Sequence, residues 1–320
     1  MSDVCVVVPT IRERSILRFL DAWADQLSGA TVLVIEDSPA RTFPIDRPDV
    51  EHFAWEDIER DLGARAWIIP RRTDCVRSYG FWKAWRRGAR IILTLDDDCY
   101  PAGGDHIGGH RARLEAPAVL ERWVSSGRGL KPRGMPYRGG SDSRACALSH
   151  GLWTNVPDLD AMTQLVGGRL EVGFTPIEQV IPPGMYFPMS GMNVGFRREL
   201  TPAMYFLLMG PGWDYDRFGD IWCGVLAKKI CDHLGLAVAS GAPLVDHERA
   251  SDVWVNLRKE APGYEVNESF WAAVDRVVLT SESVAGCYRE LAGKLALSGP
   301  YWDRLREAMA VWAGLFEGAA

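Results

Sequence analysis

Arg90-Ile91-Ile92-Leu93-Thr94-Leu95-Asp96-Asp97-Asp98-Cys99 is the stretch on which the reading of this chain turns. Its first six residues have the length and β-branched content of a buried parallel strand, and in open α/β sheets ligands collect beyond the carboxyl ends of such strands. Three adjacent carboxylates stand at that end. So much negative charge in one place calls for a cation, so the run reads as a site for a divalent metal and a diphosphate. Extended alternation would point Asp96 and Asp98 one way and Asp97 the other, letting Asp96 and Asp98 share one hard cation. An acidic turn or helix cap is the alternative.

Working outward, Val4 to Val8 is a continuous β-type run closed by Pro9-Thr10, and Ile16 to Leu27 has helical spacing. Thr31 to Ile35 predicts a second strand ending at Glu36-Asp37-Ser38, Ala66 to Ile69 a weaker one, and Val76 to Arg87 a helix feeding the Asp-rich strand. Strands alternating with helices predict an α/β fold with a mostly parallel central sheet. Three strand ends then deliver Thr10 and Arg12, Asp37, and Asp96 to Asp98 to one edge. The first strand is not followed by GxGxxG, which counts against a dinucleotide-binding domain and so against NAD(P).

Further along, Ser125 to Ser143 is rich in Gly, Arg and Ser without periodicity and is expected to be a mobile lid whose Arg133 or Arg138 reaches phosphates. His106 and His110 are spaced for a helix, but Gly108-Gly109 between them argues for a loop. Gly184 to Phe196 and Pro211 to Asp220 look like irregular, site-forming segments around a helix at Ile221 to Leu234, followed by a strand at Leu236 to Ala239. From Glu268 the pattern is helical and amphipathic. We therefore expect a catalytic domain over 1–265 and a C-terminal helical extension over 266–320.

Composition narrows the classes. With 320 residues, 47% hydrophobic and 24% charged, the chain can bury a full core. A net charge of −6 argues against general nucleic-acid binding. Seven cysteines, odd in number and without CxxC pairing, suggest neither a disulfide framework nor a zinc cluster, and fit a reducing cytoplasm. No apolar run reaches membrane-spanning length and no signal-like leader is evident, so a cytoplasmic protein without integral membrane association is expected. A homo-oligomer is left open.

The motifs together resemble one family. Thr10-Ile11-Arg12, Cys75 to Phe81, the triple Asp, Ser149 to Trp153 with Asn155 to Asp158, Phe187 to Asn193, Pro202 to Phe206, Ile230 to Gly235 and His247 to Lys259 resemble, in unbroken order over roughly residues 4 to 275, the reversibly glycosylated polypeptides. These are the non-flavin UDP-arabinopyranose mutases of plants. The resemblance implies a GT-A-like glycosyltransferase fold that binds a nucleoside diphosphate sugar through Mn²⁺ or Mg²⁺, without flavin or NAD(P), and interconverts pyranose and furanose rings. Nucleotide and sugar (UDP-arabinose, or UDP- or GDP-galactose) are not selected by the sequence. A glycosyltransferase with the same donor, or a non-catalytic sugar-nucleotide-binding subunit, are the competing readings.

Residue by residue, Asp96, Asp98 and His247 are the expected metal ligands, the last lying in Asp246-His247-Glu248 just beyond a strand-like run. Thr10, Arg12, Asp37, Arg77 and Asp97 are expected at the nucleotide, the two arginines as diphosphate ligands unless they form ion pairs. His150 and Asn193 are placed to hold sugar hydroxyls, or else to hydrogen-bond internally and shape their loops. Asp220 is the expected acid near the sugar. Three departures from the plant pattern stand out. The Asp-Asp pair is Gly219-Asp220 here, Ser190 replaces a common Cys, and the arginine associated with self-glycosylation has no counterpart on ungapped counting, which puts Ser141 at its place.

Overall fold

The computed structural model describes residues 3–123, 133–138, 141–167, 175–248 and 251–317. The chain begins β1 (Val4–Thr10), α1 (Glu13–Ala22), α2 (Ala24–Leu27), β2 (Thr31–Glu36), β3 (Val50–Phe53), α3 (Trp55–Leu62), α4 (Arg77–Arg86), β4 (Ile91–Leu95) and β5 (Cys99–Pro101). It continues through α5 (His106–Glu115), β6 (Pro117–Glu121), β7 (Ser141–Asn155), α6 (Ala161–Val166), β8 (Gln179–Val180), β9 (Asn193–Arg197), α7 (Gly219–His233) and β10 (Ala237–His247). Three helices follow: α8 (Val253–Asp275), α9 (Val284–Lys294) and α10 (Pro300–Gly314).

The sheet runs in the order β3-β2-β1-β4-β9-β7-β10-β5. Pairing is parallel from β3 to β4 and between β7 and β10, while β9 opposes β4 and β7, and β5 opposes β10. Six of these strands, β3, β2, β1, β4, β7 and β10, thus share one direction, and the sheet is mostly parallel as expected.

Alternation along β1 divides the core. Val4, Val6 and Val8 meet Ile16, Phe19 and Leu20 of α1 on one face, while Cys5 and Val7 pack with α4 on the other, in a cluster that extends to the C-terminal helices. Burial of both faces explains why these strands read as unbroken apolar runs. Helix α4 is buried nearly all round, and Gly80 lets it press onto the sheet: a Cβ there would lie 2.4 Å from Val7 Cγ1.

Several expectations are corrected. Ala66 to Ile69 is not a strand: Gly63–Ile68 is a 3₁₀ turn, and the edge strand is β3. The helix expected over Ile16 to Leu27 breaks at Trp23 into two. His106 and His110 lie on α5, not in a loop; Asp105 caps its start by accepting from Gly108 N at 2.8 Å, and burial of both imidazoles outweighs the poor helix propensity of Gly108-Gly109. Ser141 to Ser143, read as loop, begin β7.

Helix α8 runs through position 265 and starts before Glu268. The helices after it share their apolar cluster with the central sheet: Trp312 Nε1 donates to Pro202 O at 3.0 Å and Tyr301 hydroxyl to Leu208 O at 2.9 Å. All seven cysteines are buried and unpaired with one another. Among the described residues no helix is long and apolar enough to cross a membrane.

Candidate active site

Strand order reverses between β1 and β4. From β1 the chain leads outward to β2 and β3, then returns to β4 on the other side of β1, and in open α/β sheets such a switch point opens a crevice beyond the carboxyl ends. Here that crevice has two connected chambers. The outer one, about 640 Å³, is walled by Pro9 to Arg12, Glu36 to Ser38 and Arg72 to Asp74. The inner one, about 160 Å³, is lined by Asp158, Ser190, Asp220 and His247 among others. Asp74, Arg77, Asp96, Asp98 and Arg217 line both and so mark the junction.

The triple Asp forms a turn between β4 and β5, with Cys99 N donating to Asp96 O at 3.1 Å. Extended alternation therefore does not apply to the three acids: all three line the outer chamber, and Asp96 and Asp98 line the inner one as well. Asp97 ties two strand ends together, accepting from Thr10 Oγ1 at 2.7 Å and from Arg12 Nη2. Burial pushes its carboxyl up, opposed by those two donors. Thr10 is thereby spent on Asp97, whereas Arg12 keeps a buried Nε with no acceptor among the described residues.

Arg77 is where the expected and observed roles diverge. It is almost wholly buried, Nη1 donating to Thr94 Oγ1 at 3.0 Å and Gly191 O at 2.7 Å, Nε to Asp74 O at 3.1 Å, and Nη2 to Asp96 at 2.5 Å. Burial opposes its charge, but Asp96 and Asp74 outweigh that and hold it protonated. Its hydrogen bonds go to protein, so it orients Asp96 rather than offering a free fork to a diphosphate. Asp37 is likewise occupied, accepting from Trp55 Nε1 at 2.7 Å, Arg72 N at 2.9 Å and Thr73 N at 2.7 Å, which shapes the outer wall.

His247 comes to Asp98 through sheet pairing: it sits opposite Cys99, and Glu248 N donates to Asp98 O at 3.0 Å. Its Nδ1 lies 2.8 Å from Val156 O. A carbonyl only accepts, so Nδ1 carries the proton and, in the neutral ring, Nε2 is the acceptor. Among the described residues no three His, Cys, Asp or Glu converge as a preformed metal cage.

Asp220 occupies the first turn of α7, its oxygens accepting from Gly191 N at 2.7 Å and Ile221 N at 2.9 Å. Burial, then Asp74 and Asp158, push its carboxyl to about 7. Burial and neighbouring Asp96 push Asp98 to about 6. Gly219, just before Asp220, has no room for a side chain: a Cβ there would lie 2.4 Å from Phe206 O and 2.6 Å from Cys75 Sγ.

Neither His150 nor Asn193 reaches the cleft. His150 Nε2 accepts from Ser190 N at 3.3 Å and Nδ1 lies 2.9 Å from Ser240 Oγ; burial lowers its pKa to about 4, so it is a neutral positioning group beneath Ser190. Asn193 donates to Leu152 O at 3.0 Å and Pro243 O at 2.9 Å, and its Oδ1 lies 2.9 Å from His110 Nε2. Both therefore hydrogen-bond internally. Arg133 and Arg138 are exposed and line neither chamber; most of the expected lid around them, 125–132 and 139–140, lies outside the described residues.

Sequence reasoning passed over Asp74, Arg217 and Lys259, which line the cleft. Arg217 lies inside the irregular segment Pro211 to Asp220 and Lys259 ends the stretch from His247, so position within those segments was the available signal for both, whereas Asp74 falls one residue before the segment Cys75 to Phe81.

A crevice at a switch point, divided into a roomy outer chamber and an acid-lined inner one, defines a site for a ligand with two chemically different halves. A sequence profile of the reversibly glycosylated polypeptide family matches residues 1–319, and the chain belongs to that family. It is 37% identical over 331 residues to UDP-arabinopyranose mutase 1 of Arabidopsis thaliana, covering 97% of this chain and 91% of that protein. Probable UDP-arabinopyranose mutase 4 of the same plant is 36% identical (98% and 90% covered), and probable UDP-arabinopyranose mutase 2 of Solanum tuberosum 36% (97% and 88%).

Proposed function

We propose that this chain is a nucleoside diphosphate sugar mutase that interconverts pyranose and furanose rings, with a UDP-pentose such as UDP-arabinose as the first candidate substrate. The observation that carries this reading is the two-chamber cleft, with acids at the junction and a carboxyl near neutral pKa inside. The nucleoside would fill the outer chamber, the diphosphate the junction and the sugar the inner chamber. We read the mostly parallel sheet with its crevice between β1 and β4 as a GT-A-like fold.

Ring contraction needs the bond from the anomeric carbon to the diphosphate to break, its electron pair going to the diphosphate oxygen. The 4-hydroxyl then closes on that carbon and loses its proton. The ring oxygen leaves with a proton, and the diphosphate oxygen returns its pair to the anomeric carbon. The net change is one proton moved from one sugar oxygen to another. A carboxyl poised near 7 can both take and give that proton, which is the role we assign to Asp220. Asp158, accepting from Ser190 Oγ at 2.7 Å, supplies a further acceptor for sugar hydroxyls. No electrons are gained or lost, so neither flavin nor NAD(P) is required.

A divalent cation fits the junction. Asp96 and Asp98 line the same walls, the elevated carboxyl of Asp98 is one a cation would relieve, and a histidine bound through Nδ1 to a carbonyl is oriented to ligate through Nε2. With no preformed cage among the described residues, remaining ligands would be diphosphate oxygens and water. Bound there, Mn²⁺ or Mg²⁺ would make the diphosphate a better leaving group.

Incubating the protein with UDP-arabinopyranose and with UDP- and GDP-hexoses, with and without Mn²⁺, tests the reading. An isomer of unchanged mass is expected. Free nucleotide with a glycosylated acceptor would replace the mutase by a transferase, and unchanged substrate throughout would leave only a binding role.

A further inference from the structure

The mutase reading requires something to retain the diphosphate while it is detached from the sugar, and the inner chamber cannot do so. Its own acids, Asp158 and Asp220, repel an anion, and Asp74, Asp96 and Asp98 are shared with the junction, so a cation of the protein has to offset them there. Retention must therefore happen at the junction. Of the cations near it, Arg77 has its donors taken by protein and Lys259 pairs with Asp216 at 3.3 Å, while Arg12, with Nη2 on Asp97, and Arg72 line only the outer chamber.

Arg217 differs. It lines both chambers, its side chain is 37% exposed, and only its Nε has a protein acceptor among the described residues, Glu260 Oε1 at 2.8 Å. Both terminal nitrogens remain to be satisfied from the cleft. Glu260 is a fixed anchor, buried and also accepting from Ala161 N at 2.7 Å and Tyr264 hydroxyl at 2.8 Å. A guanidinium held by its Nε edge presents the opposite fork, the geometry that takes two phosphate oxygens at once. Its backbone has φ 65°, an uncommon conformation for a residue other than glycine or asparagine and one that recurs at ligand clamps.

We propose that Arg217, steered by Glu260, is the clamp that holds the nucleoside diphosphate between bond breaking and re-attack. This rests on the mutase reading for its role in turnover, but its contact with the diphosphate stands apart from it. When the bond from the anomeric carbon to the diphosphate breaks, the oxygen receiving the electron pair is kept beside that carbon and later gives the pair back. Without the clamp the nucleoside diphosphate departs, and water adds to the anomeric carbon, losing a proton, to leave free sugar.

The test uses the full chain with Arg217→Gly and Arg217→Asn, both suited to a left-handed backbone, each checked by thermal unfolding. Calorimetric affinities for UDP against UMP, and GDP against GMP, give the diphosphate preference; product analysis gives free sugar relative to isomer. In the variants the preference should fall about 10- to 100-fold, the size of a lost charged hydrogen-bonded pair, with free sugar rising. Glu260→Gln should lower the preference by less. A wild-type protein with no diphosphate preference, or folded variants that keep it, would overturn the clamp. A wild-type protein that shows the preference, loses it in the variants and makes no isomer would keep the clamp and remove the mutase.

Discussion

The guanidinium of Arg77, buried at the junction of the two chambers, holds one oxygen of Asp96 at 2.5 Å while its other nitrogens bind Thr94, Gly191 and Asp74. One side chain thus links α4, β4 and the Gly191 strip to the acid that faces the junction. Replacing Arg77 by Met leaves Thr94, the Gly191 carbonyl and Asp96 without that partner, so the chain should lose about 3 kcal/mol of stability. Urea unfolding measures this. An unchanged midpoint would mean that the buried network contributes nothing net.

Asp96 and Asp98 face both chambers whereas Asp97 faces only the outer one and braces Thr10 and Arg12, so the three adjacent acids should not respond alike. Asp96→Asn and Asp98→Asn should each lower kcat by roughly 10²-fold or more, as expected when several kcal/mol of charge stabilisation are lost. Asp97→Asn should act mainly on nucleotide affinity and stability. Exhaustive chelation should abolish turnover, and added Mn²⁺ or Mg²⁺ restore it. Full activity in chelator would remove the cation from the mechanism.

Asp220 has a carboxyl raised to about 7, against an ordinary value of 3.8. Between those values the folded chain holds a proton that the unfolded chain has released, so stability falls as pH rises through this window, and the deficit is complete above about 7. Asp220→Asn cannot ionise. It forfeits one of the two backbone donors that Asp220 accepts at every pH, so the informative quantity is the change in the Tm difference between variant and wild type. That difference should move in the variant's favour from pH 4.5 to pH 8, while kcat drops by roughly 10²-fold. A pH-independent difference would show that Asp220 ionises normally.

Continuous apolar runs made much of the sheet legible, because strands buried on both faces need nothing else: Val4 to Val8, Thr31 to Ile35 and Ile91 to Leu95 all fall within observed strands. The weaker strand expected at Ala66 to Ile69 failed because a short apolar run does not distinguish a strand from a packed 3₁₀ turn. Which carboxylates face the cleft was readable at Asp96 and Asp98, since only a strand end needed locating. What a side chain spends its hydrogen bonds on was not. Arg77, His150 and Asn193 stand in motifs near the cleft, yet their partners come from segments distant in sequence, such as Gly191, Ser240 and Pro243. Arg217 was hidden for the opposite reason, since its value lies in the donors that packing leaves open.

That distinction separates Asn193 from a sugar-binding residue experimentally. Its amide satisfies the carbonyls of Leu152 and Pro243, and its oxygen meets His110 Nε2, all away from the chambers. Asn193→Ala strands these buried groups, at about 1–3 kcal/mol for each left unsatisfied, so a total loss of about 3 kcal/mol is expected. A residue holding a sugar hydroxyl would instead raise KM with little effect on unfolding. Below its melting transition the variant should therefore keep the wild-type KM while unfolding at markedly lower urea. Wild-type stability combined with a raised KM would return Asn193 to the substrate.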